Sequence, residues 1–99
     1  MEQIEATLTN VSAVTTPAAT ILAATLLRCG ASIHNDSTSA CYVKMGSAAS
    51  PTDFTVKLEA GDHYELPIVI GGNGRSIYTG VVTAVWDVAT GTARVTEYT

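Results

Sequence analysis

Charged side chains are scarce in this sequence. They make up 14% of its 99 residues, and five lysines and arginines against nine aspartates and glutamates give a formal net charge of −4. The basic residues are spread along the chain, which argues against a surface that follows the phosphates of a nucleic acid. Because a solitary monomer usually presents a more charged surface, we expect partner proteins to cover part of this one.

A long apolar stretch is also missing. No segment approaches the roughly 20 apolar residues that a membrane-spanning helix needs. Residues 1–5 are acidic, where a signal peptide needs positive charge. We therefore expect a chain that is made and kept soluble, without a membrane partner. Its length suffices for one domain with a modest core.

Cysteine is limited to Cys29 and Cys41. If residues 31–35 pair with residues 41–45, the two cysteines lie more than about 10 Å apart along the sheet, too far for a disulfide. We expect two reduced and largely buried thiols, which is consistent with assembly in a reducing cytoplasm.

Side chains with catalytic or metal-binding chemistry are few and scattered. His34 and His63 lie near different turns, whereas a metal site needs three or four convergent ligands. His63 and Glu65 share one strand face and could at most hold a metal weakly. No serine lies in a nucleophile-elbow pattern, and both cysteines occupy core-like positions. We predict no catalytic, cofactor or metal site and a protein that is not an enzyme.

Two further patterns are interpreted as structural. Residues 71–76 are rich in glycine but lack the lysine of a phosphate-binding loop, and they predict a loop that contacts a partner. Asn10 and Asn35 each begin a glycosylation sequon, but we interpret them as turn residues.

Alternating apolar and polar residues are abundant and predict three β-hairpins. The first pairs residues 31–35 with 41–45 across a turn at 35–39. The second places Phe54, Val56 and Leu58 in the core, with Tyr64 and Leu66 opposite. The third pairs residues 81–86 with 93–98. About eight short strands predict an all-β fold, a small antiparallel β-sandwich or jelly-roll-like barrel.

The N-terminal third allows more than one interpretation. Residues 1–19 predict a strand or an extended arm, and residues 20–99 the β-sandwich domain. Thr16 and Pro17 resemble the start of a helix that would end at Gly30. The β-branched Thr20 and Ile21 favour a strand around residues 20–24 instead, with a helix within residues 17–29 as the alternative.

The order of several short motifs carries a family resemblance. They are Arg28-Cys29-Gly30, Ile33-His34-Asn35-Asp36-Ser37, Tyr42-Val43-Lys44-Met45-Gly46, Thr52-Asp53-Phe54-Thr55-Val56-Lys57-Leu58, Gly61-Asp62-His63-Tyr64-Glu65-Leu66-Pro67, Tyr78-Thr79-Gly80, Val85-Trp86-Asp87 and Arg94-Val95-Thr96-Glu97. In this order they resemble small virion proteins of tailed bacteriophages over roughly residues 20–99. The resemblance implies a virion location, reached by assembly in the bacterial cytoplasm, and brings no catalytic residues with it.

Among virion roles, the composition fits a capsid decoration, or cement, protein. Such a protein stabilises the shell through subunit contacts with the major capsid protein or other virion proteins. We expect a homo-oligomer, with a trimer favoured over a dimer, that binds through the N-terminal arm and the loop at residues 71–76.

Two alternatives remain. One is a tail, baseplate or fibre module with a sugar site around Trp86 or Tyr78. The other is a free carbohydrate-binding module, in which the aromatic residues Tyr42, Tyr64, Tyr78, Trp86 and Tyr98 would form a stacking platform. We interpret these aromatic residues as core and interface packing.

Overall fold

The alternating segments form ten strands in a computed structural model, which describes residues 3–71 and 74–99. In chain order the strands are β1 (Ala6–Ser12), β2 (Ala19–Leu22), β3 (Gly30–Ser37), β4 (Cys41–Met45), β5 (Val56–Leu58), β6 (His63–Glu65), β7 (Ile68–Gly71), β8 (Gly74–Ile77), β9 (Val82–Trp86) and β10 (Gly91–Tyr98). Neither of the two described ranges contains a helix, so β2 replaces the helix considered for residues 17–29.

Eight of the strands form two antiparallel sheets of four. The first sheet has the order β1-β10-β3-β6, and the second has the order β2-β9-β4-β5. Side chains from both sheets share one buried core, to which the first contributes Ile33 and Val95 and the second Val43, Val82 and Trp86. The predicted all-β sandwich is confirmed.

The three predicted hairpins are wrong, because each joins strands that lie in different sheets. Three short connections cross from one sheet to the other, and we call them the first arch (residues 38–40), the second arch (59–62) and the third arch (87–90). Stacked sheets lie about 10 Å apart, a distance that three extended residues can span. Alternation shows which side of a strand faces the core. It does not show which strand is the pairing partner, because in a sandwich both sheets face the same core.

Strands distant in the sequence pair instead. β3 pairs with β10 along eight residues, and β4 pairs with β9 along five. The first residue of β10 must be glycine, because Gly91 has a φ of +99° and an added Cβ would lie 2.6 Å from Cβ of Ser37.

Two hairpins do occur among the described strands. β4 pairs with β5 within the second sheet, and the connection between them includes the predicted loop at residues 47–52. β7 and β8 form a separate two-stranded ribbon. The prediction of a loop at residues 71–76 is therefore wrong for Gly71 and for residues 74–76, which belong to strands, while residues 72–73 lie outside the described residues.

Two strands differ in detail from the prediction. Leu58 is buried and Val56 half-buried, but Phe54 precedes β5 and is 41% exposed, with its ring 5.2 Å from that of Tyr42. Phe54 is thus not a core residue. At the N-terminus, β1 is an edge strand of the first sheet and pairs with β10 along its full length.

Candidate interaction surfaces

The polar residues considered for metal binding lie on the first sheet. His34 on β3 is directly opposite His63 on β6, and Nε2 of His63 is 3.6 Å from Oε1 of Glu65. In residues 3–71 and 74–99, no three histidine, cysteine or carboxylate side chains are placed to hold a metal ion. Beside His34, Nε of Arg94 donates a 2.8 Å hydrogen bond to Asp36 and lowers the pKa of that carboxyl group. This arrangement is an exposed polar face.

The two cysteines are free but differ in environment. Cys41 is fully buried in the core, and burial raises the pKa of its thiol to about 12. Cys29 is exposed, and its thiol donates a 3.4 Å hydrogen bond to the carbonyl oxygen of Tyr98. The expectation of a buried thiol is right for Cys41 and wrong for Cys29.

Three of the five aromatic residues considered for a stacking platform, Tyr42, Tyr64 and Trp86, pack in or against buried clusters, whereas Tyr78 and Tyr98 are 36% and 39% exposed. Trp86 is only 1% exposed within the core. Tyr42 is buried on the outer side of the second sheet, where burial and a hydrogen bond to Asp87 raise the pKa of its phenol. The Tyr78 hydroxyl donates a hydrogen bond to the carbonyl oxygen of Val81. The Tyr78 side chain lies over Gly80, where an added Cβ would be 2.5 Å from the hydroxyl oxygen. Because Trp86 is buried, its ring is not accessible to a sugar.

Asn35 is a structural residue that the sequence interpretation missed. It lies fully buried in β3, and its side-chain amide donates to the carbonyls of Ser39, Leu58 and Glu59 at 2.8, 3.0 and 3.1 Å. Its side-chain oxygen accepts a 3.2 Å bond from Nε1 of Trp86. Asn35 thereby ties together the first arch, the start of the second arch and the strand that leads into the third. The sequence Asn35-Asp36-Ser37 is typical of a turn, so the sequence alone does not indicate this buried role.

Arg28 fixes the opposite end of the sandwich. Its buried guanidinium donates to Glu97 at 2.7 Å and to the carbonyls of Ala23, Tyr78 and Gly80 at 2.6, 2.9 and 3.0 Å. These bonds hold the segment between β2 and β3 against the segment that follows β8. A planar group with five donors suits this position, because it satisfies several acceptors at once.

Exposed aliphatic side chains accumulate at this Arg28 end. Loop residues Leu26 and Leu27 are 90% and 75% exposed, and all four residues of β7 are exposed, including its three consecutive aliphatic side chains. We call the set Ile4, Leu26, Leu27, Ile68, Val69 and Ile70 the apolar end. Because neighbouring residues of a strand point to opposite faces, the β7–β8 ribbon presents apolar side chains on both faces. A two-stranded ribbon in water is at best marginally stable alone, so this one fits a role in contact with another surface.

A groove with a volume of about 420 Å³ opens at the root of the ribbon. It is lined by Ile4, Cys29, Leu66, Ile68 and Tyr98, among others, and a second depression of about 290 Å³ shares three of these residues with it. The lining is mostly aliphatic and aromatic. The groove extends the apolar end onto the sandwich.

Comparison of the chain with protein-family models, with curated proteins and with solved structures found no match. No helix that could span a membrane occurs in the part of the chain that the structure describes.

Proposed function

We propose that the chain is a non-enzymatic structural protein of a phage virion, which decorates the capsid and stabilises the shell through contacts with the major capsid protein. The observation that carries this proposal is the apolar end. The order of motifs that resembles small virion proteins supports the location, and the apolar end supports an assembly role there.

Burial of exposed aliphatic groups against another surface is favourable, by about 25 cal/mol for each Å² removed from water. A surface of this kind on a protein with few charges is typical of contact sites. Contacts repeated around a shell act together, so each needs only modest affinity. A homo-oligomer would strengthen attachment further by presenting several such ends at once.

A tail, baseplate or fibre module could use the same apolar end, and its copy number would then be far lower than that of a decoration protein. The carbohydrate-binding alternative has less support, because Trp86 lies in the core and Tyr42 is covered.

A rebinding experiment tests the capsid contact. Purified protein is added to virions that lack it, and the bound amount is measured after sedimentation. A lysine placed in an apolar interface must lose water there, so we expect Val69→Lys to weaken binding at least about tenfold.

The matched control is Val88→Lys, because Val88 is also exposed but lies in the third arch, away from the apolar end. We expect it to bind as the unmodified chain does. Failure of the unmodified chain to bind would refute capsid decoration, and equal binding by all three proteins would exclude the apolar end as the contact.

A further inference from the structure

We propose that two copies of this chain associate through β1, which pairs with β1 of the second copy in antiparallel orientation around a two-fold axis at Thr9. The two first sheets then join into one sheet of eight strands. This inference holds whatever the chain assembles on, so it does not rest on the proposed function.

Among the described residues, β1 pairs with a strand on one side only, and its hydrogen bonds to β10 fix which backbone groups point to the other side. Glu5 and Thr99 exchange two backbone hydrogen bonds of 3.1 and 2.9 Å, and the amide of Ala13 donates to Gly91 at 2.9 Å. Bonded positions alternate in an antiparallel ladder, and the β1–β10 register has no shift. The odd-numbered residues of β1 therefore bond to β10. The amides and carbonyls of the even-numbered residues, 6 to 12, point away from the sheet.

β1 differs from the other three edges of the two main sheets. β6 has three residues, two of which are His63 and Glu65, and Pro67 follows closely. β5 also has three residues and carries Lys57, while β2 has four residues and a shift in register. Short length, charge, proline and irregularity are the features that protect a sheet edge from pairing. β1 has seven residues and none of these features.

The neutrality of β1 favours a second copy as its partner, because it removes the charge repulsion that self-pairing would otherwise meet. A strand that meets itself around a two-fold axis places its own charges near their copies, and the chain carries a net charge of −4. No charge lies within Ala6–Ser12. Glu5, just before the strand, would face residue 13 of the other copy. The two Glu5 residues would then lie roughly 26 Å apart along the strands, well beyond the screening length.

Centring the pair at Thr9 brings all seven residues into register. Ala6 then lies opposite Ser12 of the second copy, and Leu8 opposite Asn10. These even-numbered pairs exchange about eight backbone hydrogen bonds in total. The two Leu8 side chains, each 76% exposed in the single chain, become diagonal neighbours across the axis.

A two-fold contact of this type closes on itself and gives a dimer. It therefore replaces the trimer that the sequence favoured over a dimer.

Disulfide trapping tests both the contact and its register. In the Cys29→Ser background, Thr9→Cys places two thiols at a pair without backbone hydrogen bonds, where Cα atoms lie about 4.5 Å apart and a disulfide can form. We expect most of the protein to become a covalent dimer under mild oxidation. Ser12→Cys in the same background is the control. Its two copies would lie roughly 20 Å apart, and no covalent dimer should form.

Light scattering on the full chain provides a second measurement. We expect twice the 10.3 kDa of one chain, and Leu8→Lys should raise the dimer dissociation constant at least about tenfold. At a concentration at which both proteins are monomeric, Leu8→Lys should leave the urea unfolding midpoint unchanged. Val69→Lys should leave the dimer intact. A monomeric chain that Thr9→Cys does not trap overturns the proposal. So does a dimer that Val69→Lys dissociates and Leu8→Lys does not.

Discussion

Asn35 shows how one buried amide can hold a small sandwich together. Its bonds to Leu58, Glu59 and Trp86 reach segments that are far apart in the sequence, and its bond to Ser39 holds the nearby first arch. No buried side-chain nitrogen or oxygen of the described residues lacks a partner, so the site is fully satisfied. A buried polar network in this condition specifies one arrangement of the chain, and a partly satisfied network would destabilise it.

Replacing Asn35 with aspartate tests this role. The carboxylate has nearly the same shape as the amide, but it offers no donor and would point a charge at carbonyl oxygens. We expect Asn35→Asp to lower the free energy of unfolding by about 3–5 kcal/mol, measured by urea denaturation at neutral pH.

Gln3→Glu is the matched control, because it makes the same amide-to-carboxylate change at an exposed residue outside β1. We expect a change within about 0.5 kcal/mol there. Equal effects of the two substitutions would show that Asn35 does not have the role assigned to it.

The two cysteines provide a second residue-scale prediction. With a pKa of about 12, on the order of one Cys41 thiol in 10⁴ is ionised at pH 8, and its burial also blocks access to a reagent. Cys29 is exposed. Native protein treated with a maleimide should gain one label, at Cys29, and unfolded protein should gain two. Two labels on the native protein would contradict the burial of Cys41.

At the scale of elements, the sequence predicted most strand positions but not their partners. The alternation at Ile33 and Val43 correctly marks both side chains as core-facing. The same alternation arises in a hairpin and in two strands joined by an arch, because both place alternate residues in one core. Asn35 and Ser37 were interpreted as turn residues, but they belong to β3, and their side chains bond to the first arch.

The apolar end was predictable only in part. The low fraction of charge indicates that part of the surface is covered, but the sequence prediction places binding in the N-terminal arm and at residues 71–76 and does not single out Leu26 or residues 68–70. The exposure of Leu26 and of β7 depends on how the arches and the Arg28 bonds arrange distant segments, and local sequence does not encode this. Residues 68–70 would fit a buried strand equally well on composition alone.

Truncation tests whether β1 is part of the folded domain. Residues 11, 13 and 14 pack on the core, and the amide of Trp86 donates to the carbonyl of Val14. We expect deletion of residues 2–15 to prevent folding. Circular dichroism during heating should then show no cooperative unfolding transition.

Deletion of residues 2–5 is the milder comparison. It removes Ile4 from the groove and the two bonds between Glu5 and Thr99, and it should cost about 1–3 kcal/mol. A stable fold after removal of residues 2–15 would instead show that the segment is a detachable arm.

As a whole molecule, the sandwich has two unlike ends. At one end the first arch, the second arch and β9 are bonded to one another through Asn35, while at the other Arg28 supports the apolar end and its groove. The neutral edge β1 runs along one side. This distribution fits a protein whose surfaces serve assembly, with self-association along β1 and attachment to a larger structure at the apolar end.

The most direct test of the decoration role is the number of copies in purified particles. Quantitative mass spectrometry can give the ratio of this chain to the major capsid protein in the same sample. We expect a ratio close to one, because a decoration protein follows the repeat of the shell. Absence from the particles, or only on the order of tens of copies in each particle, would contradict a role in capsid decoration.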